Sequence, residues 1–506
     1  MNENIARLLL CVAVVLPMAT QAQRLPDTAY TSVNRLVFRV DRFDTLTDGS
    51  VDGAPDLYTA APGIFTFRGS YRRDASFYGT IEGRPERVEV EWEFSTGYDG
   101  RETPYGVWGG GTGWTGQPLY VRWPDSCMQR FRQHSPGLTR NFDTEEIIIG
   151  SLDAHVYFIN YINGKSSRTP ITVTNTVKGT PSLDPTLEGN LYVGQGIPCT
   201  RPFGAMVVDL NRHRVSHLYA QDSKAWRPWG AYDSSPIRVG RFLFRPGENG
   251  TVYKFLVDGS RLKLHTALRY RVGKRNAAGI ESSMAVYGNY GYVSDNHGNI
   301  LCINLNTMRP VWHYDNHDDS DGTPVLCVED GTPYLYSACE VDKQGDLGRC
   351  YFVKLNALTG ECIWQSIFMA RRATLGLQTF DGGMFATPLP GTGNCEHLIF
   401  ANIVTNDTPG MQGDFVALRR EDGALIYRTP LRHYAWSSPI GLVNGEGEMF
   451  VFTADTQGRV YLIDGESGEI LFCRTVGGNF ESSPIVVGNH VILGTRGTKI
   501  FKMAVK

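Results

Sequence analysis

The chain lacks several features that would indicate common classes of binding site. Its ten cysteines include no adjacent pair and no Cys-x-x-Cys spacing, so a cysteine metal cluster or an attached haem is unsupported. No segment is long and apolar enough to span a bilayer. The 49 basic and 52 acidic residues nearly cancel, which does not favour nucleic acid or a membrane surface as a partner. No nucleophile-elbow, zinc-protease or phosphate-loop motif occurs.

Residues 1–22 have the pattern of a secretory signal peptide. Arg7 supplies the positive charge, Leu8 to Leu16 forms the apolar run, and Thr20-Gln21-Ala22 offers small residues for cleavage. The alternative is a short buried helix. Cys11 lies inside the apolar run, unlike a lipoprotein cysteine. We therefore expect an exported protein without a lipid anchor, periplasmic or extracellular.

Nine cysteines follow the predicted cleavage site, and an odd number requires at least one free thiol or an intermolecular bond. Cys339 and Cys350 flank a polar loop between two predicted strands. A disulfide across that hairpin is one interpretation, and two free thiols are the other.

Eight segments of one plan recur along the chain, each with small polar residues, a proline or its substitute, and an apolar run. They begin near Gly116, Gly179, Ser234, Ser282, Gly322, Ala386, Ser437 and Ser482. Short apolar or alternating runs and glycine-containing turns follow each start, as expected of antiparallel strands. A β-pattern that repeats every 40 to 64 residues is typical of a propeller.

The last unit supplies only about three strands before the chain ends at Lys506. Val88 to Ser95 precedes the first unit and alternates in the manner of a strand. We therefore predict an all-β fold, an eight-bladed β-propeller of four-stranded antiparallel blades closed by this N-terminal strand. Residues 23–85 are interpreted as an extension and lead-in, and residues 86–506 as the propeller.

Turns before several predicted outer strands carry a recognisable motif. Leu355 to Trp364 (LNALTGECIW) resembles the A-x-D-x-x-T-G-x-x-x-W repeat of the pyrroloquinoline-quinone-like (PQQ-like) propellers, and Cys302 to Trp312 is a second copy with Met308 in place of glycine. Phe65 to Ser70 looks like the lead-in segment of that superfamily. The resemblance covers roughly residues 63–506. We expect Trp312 and Trp364 to pack between blades.

The resemblance implies two functional classes. Quinoprotein dehydrogenases of this superfamily hold the quinone and calcium over the propeller axis with an adjacent-cysteine disulfide and a Glu, Asn and Asp set. Other members are cofactor-free scaffolds, such as the propeller of the outer-membrane assembly machinery. This chain has neither adjacent cysteines nor the lipidated cysteine of that scaffold.

We therefore expect a non-catalytic, exported and monomeric binding scaffold for a cell-envelope protein or glycan, with no cofactor. The alternative is a dehydrogenase that uses PQQ and calcium. A glycan-degrading enzyme is a third hypothesis.

The predicted binding surface follows from strand direction. Loops between second and third strands, and loops that join successive blades, emerge on one face, where binding residues usually lie. We predict that a partner docks there on a set of aromatic and basic residues: Trp226, Arg227, Trp229, Tyr232, Arg371, Arg372 and Trp436. The alternative is that these aromatics plug the channel or pack between blades. No catalytic or metal-binding residue is assigned.

Carboxylates recur just before four predicted inner strands, at Asp233, Glu281, Asp321 and Glu481. Two interpretations of this regular placement remain open. The carboxylates form a ring near the channel mouth, or they cap backbone N–H groups.

Overall fold

The structure, a computed structural model, describes residues 35–114, 116–375, 378–406 and 412–506. The predicted signal peptide at residues 1–22 lies outside the described residues. Helical structure in the described part includes the α-helix Asp125–His134 and the 3-10 helix Gly393–Cys395. In the described ranges, no helix has the length and apolar character needed to cross a membrane.

Eight antiparallel sheets follow one another along the chain, each beginning at one of the predicted repeat segments. The strands of the first four blades, from the channel outwards, are as follows. Blade 1 contains Leu119–Arg122, Glu145–Gly150, His155–Asn160 and Ile171–Thr172. Blade 2 contains Ser182–Leu183, Asn190–Gly194, Gly204–Asp209 and Arg214–Ala220. Blade 3 contains Ile237–Val239, Phe242–Gly247, Thr251–Asp258 and Arg261–Val272. Blade 4 contains Ala285–Tyr287, Tyr290–Ser294, Asn299–Asn304 and Arg309–Asp315.

The second half of the propeller repeats this plan. Blade 5 contains Val325–Glu329, Thr332–Ala338, Leu347–Asn356 and Cys362–Arg371. Blade 6 contains Leu389–Pro390, Leu398–Val404, Gly413–Arg419 and Leu425–Leu431. Blade 7 contains Ile440–Val443, Met449–Ala454, Arg459–Asp464 and Ile470–Thr475. Blade 8 contains Ile485–Val487, His490–Gly494, Lys499–Val505 and Val88–Ser95. The predicted eight blades of mainly four antiparallel strands are confirmed.

Shorter strands decorate these sheets. Gly63–Ile64 lies on the inner edge of blade 1, and Phe77–Tyr78 pairs in parallel with the inner strand of blade 8. Glu340–Val341 and Gly382–Gly383 pair beside blade 6, and Ala373–Leu375 forms a separate hairpin with Gln378–Phe380.

The outer strand of blade 8 comes from the N-terminal side of the propeller. Val88–Ser95 pairs antiparallel with Lys499–Val505, with Val88 opposite Val505 and Ser95 opposite Lys499. Its Trp92 then reaches blade 1, where Nε1 donates to the carbonyl oxygen of Tyr161 at 3.0 Å. Blade 8 thus packs against blade 1, and their facing strands share a buried apolar cluster.

The repeat motif explains how neighbouring blades dock. Trp312 of blade 4 donates from Nε1 to Ala357 of blade 5 at 2.9 Å, and Trp364 of blade 5 donates to Arg420 of blade 6 at 2.9 Å. The motif glycine of the next blade makes room for the indole, because a Cβ atom at Gly360 would lie 2.7 Å from Trp312 Cδ2. The predicted packing of both tryptophans between blades is confirmed.

The lead-in segment lines the axial channel. Main-chain N–H groups of four inner strands donate to its carbonyl oxygens, for example Val286 to Tyr71 at 2.7 Å and Val486 to Ser76 at 3.0 Å. Two fully buried arginines of the lead-in segment, Arg68 and Arg73, also contact the inner strands. Arg73 donates from Nε to the carbonyl oxygen of Met284 at 2.8 Å, so the segment joins blades that are distant in sequence.

The chain before the lead-in covers one blade edge. Leu36–Arg42 pairs antiparallel with the outer strand of blade 3, from Leu36 opposite Val272 to Arg42 opposite Thr266. A blade edge of this propeller therefore accepts an added fifth strand.

The cysteine prediction is settled in favour of free thiols. Cys339 and Cys350 are buried next to each other but unbonded, and the backbone N–H of Tyr351 donates to Cys339 Sγ at 3.2 Å. The disulfide interpretation is wrong.

Candidate functional site

The ends of second and fourth strands lie on the same side of each antiparallel blade. The loops that follow them form one surface, the loop face, as predicted. Lysine and carboxylates converge there near the axis. Asp233 and Glu281 each lie four residues before the inner strands of blades 3 and 4, and Glu248 follows the second strand of blade 3. Oxygen atoms of these three carboxylates lie within 4.8 Å of one another. We call this set the first carboxylate group.

Lys178 supplies the positive charge of the first carboxylate group. Its Nζ pairs with Asp233 and lies 3.4 Å from Glu281 Oε2. Burial lowers the pKa of the Lys178 ammonium, but the neighbouring carboxylates outweigh it and hold that pKa well above its ordinary value. Burial, and then the charges of its neighbours, raises the pKa of Glu248. One lysine thus faces two buried carboxyls and one half-buried carboxyl.

One predicted binding residue contacts this group, and a second lies near it. Trp229 donates from Nε1 to Glu248 Oε2 at 2.9 Å, and its ring makes edge contacts with Tyr105 and Phe203. The guanidinium of Arg227 lies close enough to Glu281 to lower the pKa of that carboxyl, against the dominant effect of burial, which raises it. Trp229 and Arg227 are therefore joined to the axial charges.

A second carboxylate group lies beside the first, on the loops at the start of blade 5 and after its second strand. It consists of Asp319, Asp321 and Glu340, whose oxygen atoms also lie within 4.8 Å of one another. Burial raises the pKa of Asp319 to about 7, and burial with the charge of Asp319 raises the pKa values of Asp321 and Glu340. Lys343 Nζ lies 3.4 Å from Asp319 Oδ2 but is itself half exposed. Glu340 Oε1 is buried with no hydrogen-bond partner among the described residues.

The other predicted binding residues occupy different surroundings. Arg372 pairs with Asp381 at 2.6 Å, and the ring of Trp436 packs 4.9 Å from that of Phe385. Trp226 lies under Arg271, which is 5.5 Å from its ring centroid, towards the outside of blade 3. Tyr232 has no exposed surface and belongs to the core. Of the seven residues, Trp229 is hydrogen-bonded to the first carboxylate group and Arg227 acts on it through its charge.

The residue four positions before the inner strand occupies one repeat position around the channel mouth in blades 2 to 8. That position holds Lys178, Asp233, Glu281 and Asp321 in blades 2 to 5, Phe385 and Trp436 in blades 6 and 7, and Glu481 in blade 8. The ring interpretation of the recurring carboxylates holds for Asp233 and Glu281, which meet in one group. Aligning the repeats would also have found Lys178. Glu248 and Glu340 follow second strands instead, and no repeat signal marked them.

One exposed patch rims the loop face at the end of blade 5. The cross-strand pairs Leu347–Arg371, Arg349–Met369 and Tyr351–Ile367 place their side chains on one side of the hairpin. Leu347, Ile367 and Met369 are each nearly half exposed, and both arginines are exposed. We call Leu347, Arg349, Ile367, Met369 and Arg371 the hairpin patch.

Comparisons with known proteins agree with this architecture. The family model of the outer membrane protein assembly factor BamB matches residues 412–506, less than half of the chain. No curated protein sequence matches the chain. The chain's predicted resemblance to the PQQ-like propellers is confirmed by this match, and the two dehydrogenases that follow share the fold.

Solved structures similar to this one include two dehydrogenases and one BamB protein. A europium-containing methanol dehydrogenase has a TM-score of 0.61 and 12% identity, over 89% of this chain and 99% of that chain. The quinohemoprotein alcohol dehydrogenase from Comamonas testosteroni has a TM-score of 0.57 and 12% identity, over 88% and 80%. BamB from Moraxella catarrhalis has a TM-score of 0.49 and 15% identity, over 76% and 98%. At these identities the dehydrogenases share the fold alone with this chain.

Proposed function

We propose that this chain is a non-catalytic scaffold, exported to the cell envelope, that binds a protein partner through the rim of its loop face. The hairpin patch is the observation that carries this proposal. The apolar side chains of its Leu347, Ile367 and Met369 are nearly half exposed to solvent. They lie beside Arg349 and Arg371 on a regular β-hairpin. Exposed apolar groups flanked by arginine are the usual composition of a protein interface.

The neighbouring blade edge favours an extended segment of the partner. A cleft of about 300 Å³ runs beside the outer strand of blade 5, lined among others by Phe368, Leu418 and Leu425. An edge strand presents unpaired backbone groups on which another strand can pair. Leu36–Arg42 already uses the outer edge of blade 3 in this way.

Site-specific photo-crosslinking in the native host tests the proposal. A photoreactive amino acid at Met369 should give a discrete adduct with one envelope protein. Arg371→Glu should weaken that adduct at least fivefold, because it reverses the charge beside the apolar residues. The same photoreactive residue at Ile470, which is exposed on the outer strand of blade 7, is the matched control.

Equal adducts from both positions would mean that the patch has no special role. An adduct with a second copy of this chain, or with a glycan, would replace the proposed protein partner with that occupant.

The second carboxylate group favours one further candidate, the cation-dependent dehydrogenase implied by the resemblance. Carboxylate oxygens are the ligands that calcium and similar hard cations prefer, and Glu340 Oε1 is buried without a described partner. Lys178 is buried against the first group and pairs with Asp233 and Glu281, whereas the lysine beside the second group, Lys343, is half exposed, so the second is the better cation site. The quinone platform does not fit, because the chain has no adjacent cysteines. We therefore assign no chemical step to a quinone.

Terbium luminescence tests the cation part of this candidate. Trp229, which is bonded to Glu248, would sensitise a lanthanide bound near the axis. Terbium emission that Asp321→Asn abolishes, together with dye reduction after adding PQQ and calcium, would favour the dehydrogenase. If neither terbium emission nor dye reduction is observed, the dehydrogenase candidate is rejected and the scaffold proposal stands.

A further inference from the structure

A cleft of about 480 Å³ opens on the loop face where blades 8, 1 and 2 meet. The loop after Val88–Ser95 forms one wall, the start of His155–Asn160 forms the floor, and Thr200 of the blade 2 loop closes the third side. Its volume lies in the range of small-ligand sites. The cleft is distant in sequence from the hairpin patch and from both carboxylate groups.

An exposed aromatic ring stands at one wall. The side chain of Tyr98 is 70% exposed, more than that of its neighbour Tyr105, which is 52% exposed. Glycine fixes its position, because a Cβ atom at Gly109 would lie 2.9 Å from Tyr98 Cε2 and one at Gly100 would lie 3.6 Å from Cε1. The ring is therefore held against main chain and offers its remaining surface to a ligand.

The floor is a fixed polar network. Tyr157 Oη donates to Asp153 Oδ2 at 2.5 Å and accepts from the N–H of Gly97 at 2.7 Å. His155 Nδ1 lies 2.9 Å from the carbonyl oxygen of Asp153, which leaves Nε2 to face a ligand. The hydrogen bond from His155 to the Asp153 carboxylate has the largest effect on this imidazole, and it raises the pKa of His155.

The charges of the cleft cancel in pairs. Arg101 donates to Asp99 from Nε at 2.9 Å and from Nη2 at 2.6 Å. Asp153 pairs likewise with His155 when the imidazole is protonated, the form that its raised pKa favours, with Nδ1 3.4 Å from Oδ2. Such a site offers donors and acceptors without net charge. It therefore suits a neutral ligand rich in hydroxyl groups better than a phosphate, a carboxylate or an amine.

Backbone strain also concentrates here. Ala154 and Thr174 both line the cleft, and both have φ of 66°. A β-branched residue in the left-handed region is unusual, and such strain gathers at functional sites. With Thr172 and Thr200, Thr174 adds exposed hydroxyl groups to the rim.

We propose that this cleft binds a neutral saccharide unit, with the ring of Tyr98 against the C–H face of the sugar and with His155 and the rim threonines bonding its hydroxyls. The inference goes beyond the proposed protein scaffold and does not depend on it. It concerns another part of the loop face and a different class of ligand.

Saturation-transfer NMR and calorimetry on the purified chain test this inference. The probes are maltotriose, cellotriose and chitotriose as neutral saccharides, with a trigalacturonate and spermidine as charged comparisons. At least one neutral probe should bind, and neither charged probe should match it. Tyr98→Ala should weaken that binding at least tenfold, and Tyr98→Trp should restore it.

Tyr105→Ala is the matched control, because Tyr105 lies on the same loop, is half exposed and contacts Trp229 instead of the cleft. It should change affinity less than twofold. Melting temperatures of all variants should agree within a few degrees, which separates binding from folding. No saturation transfer to any neutral probe, tighter binding of a charged probe, or unchanged affinity in Tyr98→Ala would each overturn the inference.

Discussion

Arg68 donates from Nη1 to the carbonyl oxygen of Pro439 at 2.8 Å, across 371 residues of sequence. Its Nη2 donates to Pro388 at 3.1 Å, so one guanidinium joins the inner strands of blades 6 and 7. Burial lowers the pKa of Arg68 to about 10, and the side chain remains cationic at neutral pH. The main-chain carbonyl groups of Pro388 and Pro439 thus hold this charge at the propeller axis.

Replacing Arg68 with leucine should destabilise the propeller strongly. Two buried carbonyl groups would lose their donors, and each unsatisfied group costs about 1–3 kcal/mol. We expect the thermal midpoint to fall by roughly 5 °C or more. Arg87→Leu is the control, because Arg87 is exposed and pairs only with exposed Glu89. Similar midpoints for the two variants would show that the buried contacts of Arg68 contribute little.

Gly423→Ala tests the docking of one blade on the next. Gly423 has φ of 73°, and a Cβ atom there would lie 2.7 Å from Trp364 Cδ2. The substitution adds both backbone strain and a clash, so we expect a loss of about 2 kcal/mol or more in unfolding free energy. Gly331→Ala is the matched control, since its φ is 79° but no atom lies within 4 Å of the added methyl. A larger effect at Gly331 than at Gly423 would contradict the packing role.

The second carboxylate group should make stability depend on pH. Burial raises the pKa of Asp319 from 3.8 to about 7, so the unfolded chain releases this proton at a lower pH than the folded chain does. The contribution of Asp319 is most favourable below pH 4 and is lost as the pH rises through about 7.

Asp319→Asn should therefore raise the melting temperature at pH 8, by roughly 2 °C or more, and change it little at pH 4. Melting curves with a chelator present measure this difference. Asp422→Asn, at an exposed turn, should have no such pH dependence. A destabilised Asp319→Asn protein at pH 8 would show that the ion pair with Lys343 outweighs the cost of burial.

The repeat made the architecture predictable from sequence, because each blade must satisfy the same local rules. Turn glycines and aromatic residues recur at one spacing, which predicted the packing of Trp312 and Trp364. The alternation of Val88 to Ser95 identified an outer strand even though its partner, Lys499–Val505, lies at the other end of the chain.

The axial contacts were not predictable in the same way. Arg68 and Arg73 look like surface residues in sequence, since arginine is seldom fully buried. Their burial depends on carbonyl groups from several blades, which no local pattern reveals. Tyr232 was expected on the loop face because its neighbours are there, but its ring packs in the core against Tyr253 and Leu243.

The last prediction concerns the joining of the two ends of the chain. Deleting residues 86–96 removes the outer strand of blade 8 and the contact of Trp92 with Tyr161 of blade 1. Blades 8 and 1 would lose their shared packing, so we expect the single cooperative unfolding transition to disappear in calorimetry. Trp92→Ala should cost about 2 kcal/mol but keep one transition. Truncation before residue 43 is the comparison, because it removes Leu36–Arg42 from the outer edge of blade 3 and the ion pair of Asp41 with buried Arg269, but leaves the pairing of blade 8 intact. If the protein without residues 86–96 melts like the parent, this strand does not close the propeller.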